Sequence, residues 1–210
     1  ALEKAAPSRV KIESIGKSDE GRELVVIWVS SEENIRNLQK NRDNLAKIAD
    51  PRGLSEEQVR QLITTTKPHY HFMGGLHSGE TGPSEMLMEL AYRLVTETSP
   101  LITQIRNNVI VSITPAAEPD GRDRNVDWFY RGLDFNTPTT AATTDSAGRG
   151  AGGAPVAGAA NGAPFGGNAG GQLPYWGKYV YHDNNRDINL SQMSMRAITD
   201  WYFTAHPPII

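Results

Sequence analysis

His77 and Glu80 stand three residues apart in the stretch Gly74-Gly75-Leu76-His77-Ser78-Gly79-Glu80-Thr81-Gly82-Pro83-Ser84-Glu85. On a helical turn, positions i and i+3 point to one side. Imidazole nitrogen and carboxylate oxygen are both ordinary zinc ligands, and a catalytic zinc takes three protein ligands and keeps a further position open for water. This pair can supply two of the three. Two fixed residues are a weak signal by themselves, and their surroundings strengthen it. An apolar strand, Tyr70 to Leu76, leads in. Glycines at 74, 75, 79 and 82 let the backbone turn tightly and approach a ligand. Pro83 is favoured in a first helical turn, so a helix is expected to open there.

Two further stretches carry polar chemistry. Tyr181-His182-Asp183-Asn184-Asn185-Arg186-Asp187-Ile188-Asn189 is a dense polar run just before an expected helix, Ser191 to Ala205. Arg186 is a planar, permanently charged donor suited to gripping a carboxylate with two bonds, and Asn185 adds neutral donors. The plainer reading of this run is a surface turn that caps the helix. Glu118-Pro119-Asp120-Gly121 follows a strand and leads into Arg122, Asp123, Arg124, Asp127, Trp128, Phe129, Tyr130 and Arg131. Charge and aromatics together read as a pocket wall or as a solvated loop. His69, His71, Met73, Gly75 and His77 alternate onto one strand face, which brings His71 toward the proposed metal. A hydrogen-bonded sheet histidine is the favoured reading of His71.

The elements that must position these residues alternate along the chain. Val10–Ile15 and Leu24–Val29 read as a hairpin whose second strand is the more buried. Ser30 with Glu33 reads as a capping box ahead of a helix through Ile35, Leu38, Leu45 and Ile48, ending at Asp50-Pro51. Ser55 with Gln58 reads as a second capping box, with a helix to about Thr66. Met86, Leu87, Leu90, Ala91, Leu94 and Val95 repeat at helical spacing and read as core. A short helix from Leu101 to Asn107 leads to the strand Val109–Ile113. Strand, helix, strand favours α/β with a mixed, largely parallel central sheet flanked by helices. Ala147 to Gln172 holds half of the chain's 20 glycines and almost no large apolar side chain, so a flexible insertion is expected there. Order returns at Leu173-Pro174-Tyr175-Trp176, the last helix carries a Met195, Ile198, Trp201, Tyr202 stripe, and His206-Pro207-Pro208-Ile209-Ile210 reads as the start of another strand.

At 210 residues the chain is one large domain or a piece of one. A chain of this size buries roughly 70% of its unfolded surface and needs no staple to fold. Lys and Arg number 21 against 24 Asp and Glu, a net charge of −3, which gives no electrostatic case for nucleic acid. No apolar run is long enough to span a bilayer. The absence of cysteine excludes disulfides, cysteine nucleophiles and thiolate metal sites. A first residue Ala1 suggests a processed or excised product, with secretion or a periplasmic location as the leaning.

Together these motifs resemble the zinc metallocarboxypeptidases. That family's His-x-x-Glu after a strand matches His77 and Glu80; its Asn-Pro-Asp-Gly is similar to Glu118-Pro119-Asp120-Gly121; its Trp and Arg are resembled by Trp128 and Arg131; its Asn-Arg-Asn by Asn185-Arg186-Asp187. The resemblance covers about Pro68 to Ile210. It implies a zinc-dependent hydrolase that cleaves a peptide bond near a free C-terminal carboxylate. It implies Zn2+ held by His77 and Glu80, a substrate carboxylate bound by Asn185 and Arg186, and an oxyanion stabilised by Arg131, with Arg124 as the fallback. The departures are Glu118 for Asn and Asp187 for Asn, the latter an added anion beside Arg186. The family's third ligand, a His at the end of the next strand, and its general-base Glu are expected beyond Ile210. The chain is then the N-terminal part of one domain, incomplete at its C-terminus, inactive alone, and its partners are a peptide substrate and the remainder of its own catalytic domain. A zinc deacylase of acyl-amino acids shares the same start, and a peptide- or carboxylate-binding module without metal is the alternative outside enzymes.

Overall fold

The computed structural model describes residues 1–131 and 184–210, with side chains through Asp127 in the first stretch. The Gly-rich segment Ala147–Gln172, the Leu173–Trp176 stretch, His182 and the side chains of Trp128 and Arg131 therefore lie outside the described residues. After a single turn, α1 (Leu2–Ala5), the chain runs β1 (Val10–Lys17), β2 (Glu23–Val29), α2 (Glu32–Arg36), α3 (Leu38–Ala49), α4 (Glu56–Thr65) and β3 (His69–Met73). It continues α5 (Thr81–Thr96), α6 (Pro100–Asn108), β4 (Ile110–Thr114), α7 (Pro119–Arg131), a 3-10 turn at Asn184–Arg186 and α8 (Met193–Ala205).

The four strands form one mixed sheet in the order β1-β2-β4-β3. β1 pairs antiparallel with β2, β2 antiparallel with β4, and β3 parallel with β4. The β1–β2 hairpin forms as expected, with β2 the more buried partner. Beyond the outer edge of β3, Ile209 makes a parallel bridge with Tyr70, and the His71 amide donates to the Ile209 carbonyl at 2.9 Å. In the stretch expected to start another strand, this single bridge is what forms.

Helices cover both faces, because both carry apolar side chains. On one face Ile27, Val29, Val111 and Ile113 pack with Leu87, Ala91, Leu94 and Val95 of α5. On the other, Val26, Trp28 and Ile110 pack with Leu38 of α3 and with Trp201 and Ala205 of α8. Met86, placed in the core by its spacing, is 60% exposed; the buried stripe of α5 runs through Ser84, Leu87, Ala91, Leu94 and Val95. None of the helices among the described residues is long and apolar enough to cross a membrane.

Two helix starts show how tertiary partners redirect local signals. Ser55 and Gln58 close the expected capping box, each side chain bonding the other's backbone amide. Ser30 does not cap. It is fully buried, and its hydroxyl bonds the carbonyls of Arg106 and Val109 at the end of α6, while Ser31 takes the cap of α2 through the Asn34 amide. The long helix expected from Ile35 to Ile48 is broken at Asn37, which ends α2 and starts α3.

Candidate active site

β3 and β4 run side by side in the same direction, so the loops after them leave from one end of the sheet. In α/β folds the loops beyond the carboxyl ends of parallel strands build the site. Here they are zipped together by backbone bonds. The Gly74 amide donates to the Thr114 carbonyl, and the amides of Ala117 and Glu118 donate to the carbonyls of Gly74 and Gly75, all at 2.9 Å. β3 itself stops at Met73, short of the expected Leu76, because the chain turns here to meet that second loop. Gly75 has φ +62°, and a Cβ there would come within 2.8 Å of the Ser84 hydroxyl. Gly121 is equally constrained: a Cβ would lie 2.4 Å from the Cβ of Ser78, a buried side chain next to His77.

His77 and Glu80 meet on this loop. Glu80 occupies the N-cap position of α5 yet does not cap it with its side chain. Its carboxylate turns back instead, one oxygen 2.7 Å from His77 Nδ1 and the other accepting from the His77 amide at 3.3 Å. The His77 side chain is 15% exposed and that of Glu80 46%, so the pair opens to solvent from a recessed position. A ring nitrogen and a carboxylate oxygen facing each other suit zinc as two of its donors. Among the described residues no group of three or more His, Asp or Glu is arranged to hold a metal ion.

The turn Asn184–Arg186 docks onto the same loop. The buried Asn184 donates to the Leu76 carbonyl at 3.1 Å and to Glu118 Oε2 at 2.9 Å. Asn185 and Arg186, which follow directly, are exposed, and the Arg186 guanidinium donates to the Asn185 carbonyl at 3.2 Å. Asp187, expected to set an anion against Arg186, has a different task. It is 5% exposed, and its carboxylate accepts from the Ser191 amide and hydroxyl and from the Gln192 amide, at 2.9, 2.6 and 2.9 Å, which anchors the start of α8.

The Glu118–Gly121 motif opens a helix rather than a loop. Pro119 sits in the first turn, where it is preorganised, and Glu118 Oε1 accepts from the Gly121 amide at 3.0 Å. Residues 122–131, read as a pocket wall or a solvated loop, are therefore carried on α7. Burial pushes the Glu118 carboxyl above the usual carboxylate range, opposed by the bonds from Gly121 and Asn184. Asp120 ties α7 to the β1–β2 turn: it accepts from the Ser18 hydroxyl at 2.6 Å, the Glu20 amide at 3.0 Å and Arg22 Nη1 at 2.9 Å. Arg22 also pairs with Asp123 and Glu20, and its bond holds the Glu20 carboxyl below the usual range. Arg122 pairs with Glu85 of α5, and Arg124 pairs with Glu20. The fallback oxyanion residue, Arg124, is thus engaged with the hairpin, while the side chain of Arg131, at the last residue of α7, lies outside the described residues.

His71 is a sheet histidine, as the plainer reading held. Ser112 Oγ of β4 lies 2.6 Å from His69 Nε2 and 2.7 Å from His71 Nδ1, and both rings are 1% exposed. Burial lowers His71 to about 4; burial, then the neighbouring His71, lowers His69 to about 3. The two rings pack against Trp28, Trp201 and Tyr202. Glu118 and Asn184 are the polar residues of this site to which the sequence assigned no task, since only their tertiary meeting distinguishes them.

A family model described as zinc carboxypeptidase matches residues 1–138. Comparison with curated proteins returns no match. Among solved structures the chain is similar to carboxypeptidase A from Helicoverpa armigera, at 22% identity and a TM-score of 0.43, over 60% of this chain and 23% of that one. It is also similar to a metallo-carboxypeptidase from Burkholderia cenocepacia, at 17% identity and a TM-score of 0.39, over 57% of this chain and 26% of that one. The chain spans about a quarter of the length of these proteins.

Proposed function

From the premise that this chain belongs to the zinc carboxypeptidase family, we propose that it forms the part of a peptidase site that holds zinc and grips the substrate's terminal carboxylate. The observation that carries the reading is the docking of the Asn184–Arg186 turn on the loop that bears His77 and Glu80. In this reading His77 and Glu80 hold the metal. When bound, zinc polarises the scissile carbonyl and makes a nucleophile of water near neutral pH. Arg186, exposed and always charged, takes the free carboxylate with two parallel bonds, and Asn185 adds neutral donors. Arg131 stabilises the oxyanion, a task for a fixed cation in a water-poor site. Substrate is therefore a peptide or acyl-amino acid with a free C-terminus. The third ligand and the base that accepts the proton of the attacking water are proposed to come from the remainder of the catalytic domain.

The reading is tested with Arg186→Ala in the complete enzyme. Charge-assisted bonds contribute about 1.5–3 kcal/mol each. Cleavage of a peptide with a free C-terminus is expected to fall by roughly 10- to 100-fold, since about 1.4 kcal/mol is tenfold. Cleavage of its C-terminal amide should change little, and equal losses on both refute the assignment. The 210-residue chain alone is expected to bind zinc weakly by calorimetry and to turn over no peptide. Tight stoichiometric zinc with turnover would place the third ligand within the chain.

A further inference from the structure

Glu118 and Asn184 lie at the junction of the metal loop and the carboxylate-binding turn, 4% and 5% exposed. Four hydrogen bonds meet at this junction. Asn184 Nδ2 donates both to the Leu76 carbonyl and to Glu118 Oε2. The other Glu118 oxygen accepts from the Gly121 amide, and the Glu118 amide donates to the Gly75 carbonyl. Leu76 is bonded directly to His77, and Asn184 directly to Asn185. The turn is therefore joined to the His77 segment by two routes: one hydrogen bond from Asn184 to the Leu76 carbonyl, whose peptide unit leads to His77, and a longer one through Glu118 to the Gly75 carbonyl.

We propose that Glu118 and Asn184 are a positioning pair that couples the two halves of the site, so that the metal loop and Arg186 take up their working geometry together. The inference rests on the proposed metal role of His77 and Glu80. Two features set this pair apart from ordinary packing. Besides the local Glu118–Gly121 bond at the start of α7, its bonds join the Asn184 turn, the Glu118 segment and the Gly75–Leu76 loop. And a buried carboxylate is retained here where an apolar side chain would fill the same space, a choice that is stable only with its oxygens bonded. Partners that orient a ligand-bearing segment from behind typically tune metal affinity by 10- to 100-fold.

The experiment is a zinc titration of the 210-residue chain followed by NMR, reading the ring C–H signals of His77 and the Nε–H signal of Arg186. In the unmodified chain both are expected to move along one zinc isotherm. In Asn184→Ala, His77 should still respond, with a half-saturating zinc concentration about tenfold higher, and Arg186 should no longer follow. Glu118→Gln is the second variant, should the first fail to fold. It keeps the acceptor for Gly121 but presents an amide donor to Asn184, which must flip its own amide and so abandon Leu76. A purely structural pair would lower stability in both variants without separating the two signals. If Arg186 still follows zinc in a folded variant, or never follows it while His77 does, the coupling is overturned and the metal reading stands. If His77 does not respond to zinc at all, the metal reading falls and the coupling falls with it.

Discussion

Acid should weaken this fold well before its carboxylates are protonated, and His69 and His71 are the reason. Both rings are 1% exposed and both are held neutral by burial, His71 at about 4 and His69 at about 3. In the unfolded chain each titrates near 6.5. The unfolded state therefore binds more protons across the window from about 6.5 down to about 4, and stability falls as pH falls through it. Each histidine contributes up to about 1.4 kcal/mol per pH unit. Integrated from pH 7 to pH 5, the two remove about 4 kcal/mol, a large share of the 5–15 kcal/mol typical of a domain. The neighbouring charges on this face act with the burial or are already paired: Arg42 of α3 lies over Trp28 and repels a proton on His69, Glu13 of β1 bonds Trp28 Nε1 and Arg42, and Tyr202 of α8 stays neutral. The assay is urea unfolding at pH 7, 6 and 5, for the native chain and for His71→Asn, which keeps a polar atom near the Nδ1 position. The variant is expected to lose only about 2 kcal/mol over the same interval, half the native loss. Identical losses would show that His71 is already charged or solvated in the folded state, and the argument would fail.

Gly121→Ala drives a methyl group into Ser78, and is expected to destabilise by about 1–3 kcal/mol and to displace the His77 loop, measured as a lower urea midpoint together with altered His77 ring signals. Asp120→Ala strips the acceptor from the buried Ser18 hydroxyl and from the Glu20 amide, and removes one of the three acidic partners of Arg22. A loss of about 2–3 kcal/mol is expected, with faster hydrogen exchange at the β1–β2 turn; unchanged exchange there would show that Asp120 does not anchor the hairpin.

The features legible in the sequence were those whose cause is local. The Ser55–Gln58 box needs only two side chains and one turn, so its spacing revealed it. The hairpin and the strand-helix-strand order follow from period and β-branched content. His77 and Glu80 were singled out because the pair is close in the chain and sits between a strand and a helix, and in the fold the two side chains do meet, at 2.7 Å. What stayed hidden depends on residues far apart. Ser30 has the composition of a cap, but α6, more than seventy residues later, claims its hydroxyl. Asp187 looked like a perturbing anion because its partners, Ser191 and Gln192, become partners only once α8 starts beside it. Met86 fits the apolar period of α5, yet the sheet meets that helix on the stripe one step round, so Met86 faces outward. Glu118 read as a departure from a motif until the buried Asn184 came to meet it.

The serine between the two buried histidines imposes a rule on both rings. Ser112 has one hydroxyl proton and faces His69 Nε2 and His71 Nδ1 together. If it donates to His69, that ring carries its own proton on Nδ1, and His71 must donate from Nδ1 to the serine oxygen. If it donates to His71, both rings carry their protons on Nε2. The two arrangements that use every atom at this contact are therefore matched: both rings in the Nδ1–H tautomer, or both in the Nε2–H tautomer. A mixed pair leaves either two lone pairs facing each other or a hydroxyl proton without this acceptor. The two imidazoles are thus coupled: passing from one arrangement to the other takes rotation of the Ser112 hydroxyl together with movement of a proton between Nδ1 and Nε2 on each ring, and nitrogen shifts of the two neutral rings in the folded chain should report the same tautomer. Ser112→Ala uncouples them, and each ring is then free to choose its tautomer alone.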